Sequence, residues 1–257
     1  MGKISFLNRS FVIGVAIFIL VLLFWQYASR YIINPYFVSS PIDIINRIVD
    51  WGISGKLWIN LWSTVKITFI GFFLASALAI PLASILTSSR TLDEIVSPFL
   101  YGIYSMPKVV LAPALIIWIG IGTLPAITLS AITAFFLVFY NVYMGLKIIP
   151  KSYDMTASIL GANYLQKIIK FRLPAAAPFV ATGLAQGLVY AFHGAMTGEM
   201  TSSNIGMGFL IMYSGSTMDS TGVMAGLVIV AIIAALLVKM LSFTLSRFHS
   251  AEINANA

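Results

Sequence analysis

The chain has 257 residues, of which 60% are hydrophobic and 9% are charged. A soluble domain carries about 25% charged residues, so this chain lacks the polar surface to face water on all sides, and we predict a membrane protein. The absence of cysteine excludes disulfides and thiolate metal sites. We interpret the net charge of +7 as basic residues retained at the cytoplasmic side of a bilayer, and not as a nucleic-acid surface.

Six apolar segments follow one another along the chain, each near the roughly 20 residues that cross the hydrocarbon core as a helix. They are Phe11–Tyr27, Leu61–Leu86, Phe99–Ile119, Leu124–Leu146, Pro178–Gly198 and Thr221–Phe243. The first is followed by the bulky WQYASRYI and not by a small-residue cleavage site, so we predict an uncleaved span. The predicted fold class is an all-α polytopic membrane protein with about six transmembrane helices, in a single domain over residues 1–257.

The distribution of basic residues predicts the orientation. With the N terminus inside, ten basic residues fall on the cytoplasmic side and three outside, so we expect both termini to be cytoplasmic. The ten are Lys3, Arg9, Arg90, Lys147, Lys151, Lys167, Lys170, Arg172, Lys239 and Arg247, and the three are Arg30, Arg47 and Lys56. Lys66 and Lys108 lie within the spans.

The external segment SSPIDIINRIVDWG resembles a short helix lying at the membrane surface. Ser40 is suited to cap it, Pro41 fits its first turn, and Asp43 complements the positive end of its dipole. Ile42, Ile45 and Val49 then share one apolar face.

A polar, basic insert separates the fourth and fifth spans, at about residues 150–174. Pro150 ends the fourth span, and Ser152 or Asp154 can accept backbone N–H bonds at a new helix start. Gly161 interrupts that helix at a turn, and a second helical run begins near Tyr164 and ends at Leu173-Pro174. From the residues alone, a simple connector and a docking element for a soluble partner both remain open.

Three ionisable residues within the spans are candidates for a translocation path. Lys108 follows Pro107, and it either faces a cavity, a partner or a substrate, or bonds to carbonyls that the nearby prolines free, or extends to the cytoplasmic interface. His193 either lines a path or packs against a neighbouring helix, and Glu199 is expected to reach the external interface. Asn141 is expected to form an interhelical hydrogen bond. The pairs Gly183/Gly187 and Gly194/Gly198 predict close helix packing.

The insert resembles the cytoplasmic-loop signature of binding-protein-dependent ABC importer permeases, which reads E-A-A, three residues, G, nine residues, I, any residue, L-P. Ala157, Gly161, Leu173 and Pro174 match it. Met155 replaces the Glu, Thr156 replaces the first Ala, and Phe171 takes the Ile position. Asp154, one residue early, is a candidate for the missing carboxylate, although a helix rotates about 100° per residue.

Further segments, in the right order, resemble the nitrate, sulfonate, taurine and bicarbonate branch of these permeases. They are SPIDIINRI, GKLWINLWSTVKITFIGFFLASALAIPL, SMPKVVLAPALIIWIGIG, AFFLVFYNVYMGLK and GEM with NIGMGFLI. The resemblance implies a type I importer permease fold in the inner membrane, paired with a second permease copy, a cytoplasmic ABC ATPase dimer and an external solute-binding protein. It also implies that the insert is the coupling helix, with Asp154, Met155, Thr156, Ala157, Gly161, Leu173 and Pro174 facing the ATPase. The implied solute is a small organic or inorganic anion.

Two other classes of function fit the sequence poorly. A stand-alone secondary transporter or channel needs paired charges within the spans or inverted repeats, and neither is visible. An intramembrane enzyme needs catalytic groups at a common depth, and no such set or HExxH motif occurs. Gly55-Lys56 is not part of a P-loop, so we expect ATP to bind a separate subunit and this chain to bind no cofactor or metal.

Overall fold

The computed structural model describes the backbone of residues 2–34 and 36–255, and the side chains of residues 11–34, 36–150 and 152–240. Within these residues every regular element is helical, which confirms the all-α class. A 3₁₀ turn covers Lys108–Leu111, and a π-helix covers Lys167–Arg172. The α-helices in chain order are α1 Gly2–Tyr31, α2 Pro41–Ile53, α3 Lys56–Leu86, α4 Arg90–Ser105, α5 Ala112–Ile119, α6 Thr123–Ile148, α7 Lys151–Ile159, α8 Tyr164–Gln166, α9 Leu173–Ala175, α10 Ala177–Ser202, α11 Met207–Ser216 and α12 Ser220–Ala255.

Four described helices are long and apolar enough to cross a membrane. They are Phe11–Tyr31 of α1, Lys56–Leu86, Thr123–Ile148 and Ser220–Met240 of α12. The number rises to six when each of two bent helix pairs forms one span. One pair is Arg90–Ser105 with Lys108–Ile119, bent by 88°, and the other is Tyr164–Ala175 with Ala177–Ser202, bent by 78°.

The prediction of one continuous helix over Phe99–Ile119 is wrong. Helix α4 ends at Ser105, and Met106 has extended backbone angles (φ −73°, ψ 134°). The cause is Pro107, which lacks an N–H and disfavours helical geometry in the residue before it. Lys108 therefore lies at a sharp bend and not in the middle of a straight helix.

The chain divides into two compact units. The first contains the chain up to Ile59 together with Leu210–Val230, and the second contains Asn60–Phe209 and the chain from Ala231 onward. The single domain over residues 1–257 stays a prediction, and its positions 1, 35, 256 and 257 lie outside the described residues. The side chains of Lys3, Arg9, Lys151 and Arg247, which were counted for the orientation, also lie outside the described ones.

In the first unit, α2 forms as the sequence predicts. Ser40 caps it, with its hydroxyl oxygen accepting from the backbone N–H of Asp43 at 3.2 Å, and Pro41 occupies the first turn. Ile42, Ile45 and Val49 are exposed along the helix. Arg47 forms an ion pair with Asp219, and this pair fixes α2 to the residues just before α12.

In the second unit, α6 and α10 pack closely along their lengths. The four glycines of α10 named above lie at this interface, and a Cβ at Gly194 would come within 2.1 Å of the Thr133 hydroxyl oxygen. A Cβ at Gly198 would lie 2.4 Å from the Cα of Ala126, so the predicted close approach is confirmed. Asn141 bonds across the interface, with Nδ2 at 3.3 Å from Oε1 of Gln186.

An ion pair fastens α4 to α6. The amino group of Lys147 lies 2.8 Å from a carboxylate oxygen of Asp93 and 2.7 Å from the hydroxyl of Tyr143. Tyr143 also donates to Asp93, and Ser97 lies within hydrogen-bond distance of both. Because Asp93 is near the start of α4, this cluster fixes the first turns of that helix against the end of α6.

Candidate functional site

A cavity of about 520 Å³ lies in the second unit, beside the α6–α10 pair. Its walls come from the end of α4 with the following 3₁₀ turn, from α6 and from α10. Aromatic, aliphatic, hydroxyl and basic side chains line it together with a glycine, and none of the described lining residues is acidic. They are Tyr104, Ser105, Lys108, Val109, Leu129, Thr133, Phe136, Leu137, Tyr190, His193, Gly194 and Thr197.

Lys108 lies at the wall of this cavity because the chain bends at Pro107. Its amino group donates to the backbone carbonyl of Tyr104, which would bond to the N–H of residue 108 if the helix continued. The same amino group lies 4.9 Å from the ring centroid of Tyr104 and 5.2 Å from that of Phe136. Cation–π contacts and a freed carbonyl thus stabilise a charge that costs about 2.5–3.5 kcal/mol at the centre of a membrane helix. Lys108 thus lies at a cavity and bonds to a freed carbonyl, and its place in a translocation path stays a prediction.

His193 lies on the α10 wall of the same cavity. Its ring centroid is 5.5 Å from that of Tyr190, one helical turn earlier. The hydroxyl of Thr133 on α6 lies 3.0 Å from the carbonyl oxygen of Tyr190, which fixes the two walls to each other. The structure therefore brings Lys108 and His193 together, although they are far apart in the sequence.

Glu199 does not line the cavity. Its side chain is fully enclosed and does not reach solvent, contrary to our expectation that it extends to the external interface. One carboxylate oxygen, Oε2, accepts from the hydroxyl of Thr64 at 2.8 Å and from the backbone N–H of Gly208 at 3.0 Å. The other oxygen, Oε1, is buried with no hydrogen-bond partner.

The partners of Glu199 belong to a polar network at the start of α11. The first N–H groups of a helix have no partner within the helix, and here side chains from α3 and α10 accept three of them. Asn60 accepts from Gly206 at 2.8 Å, Thr64 accepts from Met207 at 2.8 Å, and Glu199 accepts from Gly208. Glu199 thus helps to hold α3, α10 and the start of α11 together. Its role in a translocation path stays a prediction without geometric support.

The insert folds into a helical hairpin, residues 150–174, that matches its prediction closely. Helix α7 ends before Gly161, whose φ of +72° makes the turn. Asn163 and Gln166 then start α8 with reciprocal side-chain to backbone bonds of 2.9 and 3.0 Å. The predicted cap is wrong: α7 begins at Lys151 directly after an extended Pro150, so Ser152 and Asp154 lie inside the helix and not before it.

The residues expected to face an ATPase differ in their exposure. Met155, Thr156, Gly161 and Pro174 are exposed, Leu173 is half-buried, and Ala157 is fully buried inside the hairpin. The carboxylate of Asp154 is half exposed and lies 3.9 Å from Nε of Arg172 within the same chain. Contact of these residues with an ATPase stays a prediction.

Sequence reasoning missed Arg172 and the polar network around Glu199. Arg172 occupies the position at which the loop signature allows any residue, so the signature gave no reason to select it. Asn60 and Thr64 are four residues apart in an apolar helix, which places them on one face and was a usable signal. Among the described residues, no group of three histidine or acidic side chains lies close enough to hold a metal ion.

Comparison with known proteins agrees with this architecture. The family model described as "Binding-protein-dependent transport system inner membrane component" matches residues 67–254. A putative ABC transporter permease protein of Methanocaldococcus jannaschii is 30% identical, over 92% of this chain and 90% of its own. The taurine transport system permease protein TauC of Escherichia coli is 26% identical, over 85% of this chain and 82% of its own. These matches confirm the resemblance found in the sequence.

The fold also resembles a solved transporter. An inward-facing structure of the MetNI methionine ABC transporter superposes with a TM-score of 0.63 at 22% identity. The match covers 75% of this chain and 94% of that one. At this identity the likeness supports the fold alone, and it confirms the predicted importer permease fold.

Proposed function

Because the chain belongs to the family of binding-protein-dependent transport system inner membrane components, it is a permease subunit of an ABC transporter, and we propose that it forms part of an import path for a small anion. The observation that carries this proposal is the cavity that Lys108 and His193 line. A fixed positive charge at the wall of a cavity attracts anions, as basic side chains do in anion-conducting pores.

The proposed solute is a small organic or inorganic anion such as a sulfonate, nitrate or bicarbonate. The cavity volume of about 520 Å³ is within the range of small-molecule sites, which is about 300–1,000 Å³. The hydroxyls of Ser105 and Thr197 also line the wall, where Ser105 donates to the carbonyl of Tyr101 at 3.0 Å and Thr197 to that of His193 at 2.9 Å. The amino group of Lys108 has three N–H bonds and donates one of them to the Tyr104 carbonyl, so it retains donors for an anionic oxygen. The relative that is named for taurine transport supports this class.

Partners complete the proposed importer. Two copies of the chain form the path as a homodimer, an external binding protein delivers the solute, and a separate ATPase dimer binds and hydrolyses ATP. The hairpin docks on the ATPase. Support for that docking comes from Met155, Ile159 and Leu160, which are 64, 86 and 69% exposed on the hairpin. Exposed apolar groups clustered in this way are typical of interaction surfaces.

The proposed orientation in the inner membrane places both termini and the hairpin in the cytoplasm. It rests on the excess of basic residues in the segments assigned to that side. Labelling of single cysteines introduced at Ser152 and Ser216 tests it, since the natural chain has no cysteine. Labelling of Ser152→Cys from outside would reverse the orientation and remove the hairpin from the ATPase.

Uptake in proteoliposomes tests the proposed function. The chain is reconstituted with its ATPase, its binding protein is added outside, and uptake of a radiolabelled anion is measured per assembled complex. We expect Lys108→Met to slow uptake several-fold and Lys108→Glu to slow it further through repulsion, with assembly and basal ATP hydrolysis retained. Lys66, which lies on α3 outside the cavity with its amino group 5.9 Å from the Trp62 ring, provides the matched control in Lys66→Met.

Three outcomes contradict the proposal in different ways. Undiminished uptake per complex in Lys108→Glu removes Lys108 from the path. A loss of thermal stability in both Lys108 variants favours a structural cation bonded to the Tyr104 carbonyl. Equal uptake with and without ATPase and ATP favours a stand-alone secondary transporter or channel.

A further inference from the structure

Arg172 is enclosed at the base of the hairpin, where three segments of the chain meet. Its side chain is only 11% exposed. Nη1 donates to the hydroxyl of Ser88 at 2.9 Å, and Nη2 donates to the carbonyl of Thr87 at 3.2 Å. Nε lies 3.9 Å from the carboxylate of Asp154 on α7. One guanidinium thus contacts both the corner between α3 and α4 and the first helix of the hairpin.

The contacts with the corner connect Arg172 to one wall of the cavity. Thr87 and Ser88 follow the end of α3, and Ser89 caps α4 by accepting from the backbone N–H of Leu92. Helix α4 has 16 residues, about 24 Å at 1.5 Å per residue. Its far end carries Tyr104 and Ser105, which line the cavity next to Lys108. The corner therefore lies at one end of a helix whose other end lies at the cavity.

The backbone of Arg172 connects it to the opposite wall. Arg172 is the last residue of the π-helix, which continues through α9 and a bend of 78° into α10. Helix α10 carries Tyr190, His193 and Thr197 at the cavity. Inserted π-helical turns are rare and occur mostly at functional sites. Through its backbone, Arg172 thus belongs to the segment that leads to the α10 wall of the cavity. Through its side chain, it is hydrogen-bonded to the α3–α4 corner, which leads to the α4 wall.

The chemistry of the guanidinium is suited to connecting several segments of the chain. Its planar fork makes several hydrogen bonds in fixed directions, so it transmits orientation as well as distance. A cation near the end of α3 is also favourable because the helix dipole places partial negative charge there. In contrast, the side chain of Arg90 at the same corner is 91% exposed, and its one ion pair among the described side chains is with Glu94, in the next turn of its own helix.

We propose that Arg172 is a positioning residue that makes the hairpin, the α3–α4 corner and α10 move together, so that a displacement of the hairpin changes both walls of the cavity. The inference rests on the proposed function, in which the ATPase displaces the hairpin. Arg172 itself contacts neither ATP nor the solute in this mechanism. When Arg172 is replaced, the ATPase still binds and hydrolyses ATP, but hydrolysis no longer moves the helices that line the cavity.

The test measures solute imported per ATP hydrolysed, using the reconstituted complex with its binding protein. We expect Arg172→Ala to lower this ratio at least fivefold, while ATPase co-purification and the rate of ATP hydrolysis stay near wild type. Arg172→Lys keeps the charge but loses the fork, so it restores only part of the ratio. Arg90→Ala, the exposed arginine at the same corner, is the matched control and leaves the ratio unchanged.

A second variant covers the case in which Arg172→Ala fails to fold. Ser88→Ala removes one acceptor of the guanidinium and leaves the side chain of Arg172 in place. It should lower the ratio in the same direction by a smaller factor, with the melting temperature of the complex within about 2 °C of wild type. A merely structural role of Arg172 predicts lower stability with an unchanged ratio.

The outcomes separate the two levels of the inference. If the wild-type complex shows no ATP-dependent uptake, the proposed function itself is overturned. Normal wild-type uptake, combined with an unchanged ratio in Ser88→Ala and in whichever Arg172 variant folds, would overturn the role of Arg172 and leave the proposed function intact.

Discussion

Five described glycines have positive φ, and two of them, Gly161 and Gly206, differ in what surrounds them. Gly161 at the tip of the hairpin has φ +72°, and a Cβ built on it would meet no atom within 4 Å. Gly206 before α11 has φ +121°, and its Cβ would come within 2.1 Å of the carboxyl carbon of Glu199. The first turn constrains only its own backbone, whereas the second is also constrained by an enclosed acid from another helix.

The difference separates a turn that serves local geometry from one that serves tertiary packing. Exposed turns tolerate substitution at the cost of backbone strain alone. Enclosed turns add the cost of displaced neighbours and of buried polar groups that lose their partners. Four substitutions, in order of decreasing expected effect, test this distinction.

Gly206→Ala should have the largest effect on stability. Backbone strain costs about 1–3 kcal/mol and overpacking against Glu199 about 1–3 kcal/mol, so we expect a loss of about 2–6 kcal/mol. Thermal unfolding of the purified protein in detergent measures it. The double variant Gly206→Ala/Glu199→Ala should lose less stability than the sum of the two single losses, because the clash disappears and the strain remains. A double variant as unstable as the sum of the two singles would contradict the packing argument.

Glu199→Ala should rank second. It leaves the backbone N–H of Gly208 without its acceptor, and an unsatisfied buried group costs about 1–3 kcal/mol. The hydroxyl of Thr64 loses its bond to Glu199 but keeps the carbonyl of Asn60 as an acceptor at 3.2 Å. Glu199→Gln keeps an acceptor oxygen and should lose less than Ala. The same unfolding measurement compares the two. Greater stability of the Ala variant than of wild type would show that burying the carboxylate costs more than its hydrogen bonds return.

Gly161→Val should destabilise the protein less, by about 1–2 kcal/mol, because only the left-handed backbone conformation opposes it. We expect uptake to fall more than stability, since a branched side chain at the hairpin tip also hinders the approach of the ATPase. Gly161→Asn is the control, because asparagine tolerates positive φ. Co-purification with ATPase and uptake at wild-type level in the Val variant would remove the hairpin tip from the docking surface.

Asp154→Ala should have the smallest effect on stability, below about 1 kcal/mol, because half-exposed ion pairs of 3.9 Å contribute little. Its effect on uptake decides a separate point. If Asp154 supplies the carboxylate that the loop signature lacks at Met155, uptake falls while the melting temperature stays unchanged. Unchanged uptake would show that this carboxylate is needed neither for contact with the ATPase nor for the coupling proposed for Arg172.

The sequence alone determined the features that depend on local composition and chain order. Apolar stretches of the right length predicted the helical spans, because a bilayer leaves the backbone few alternatives to helix. The hairpin was equally readable, since Gly161 and the apolar spacing around it act within a few residues. Small residues four apart on α10 predicted close packing before its partner helix was known.

Only the tertiary structure decided which polar residues face a cavity and which are enclosed. Lys108 and Glu199 are both charged residues near apolar stretches, and nothing local separates them. The bend at Pro107 turns Lys108 toward residues of α6 and α10, whereas α3 brings Thr64 onto Glu199. Arg172 likewise acquires its partners from a corner more than eighty residues earlier. Such contacts depend on how helices distant in sequence pack together. The spacing of apolar residues along one helix does not identify the helices that it will contact.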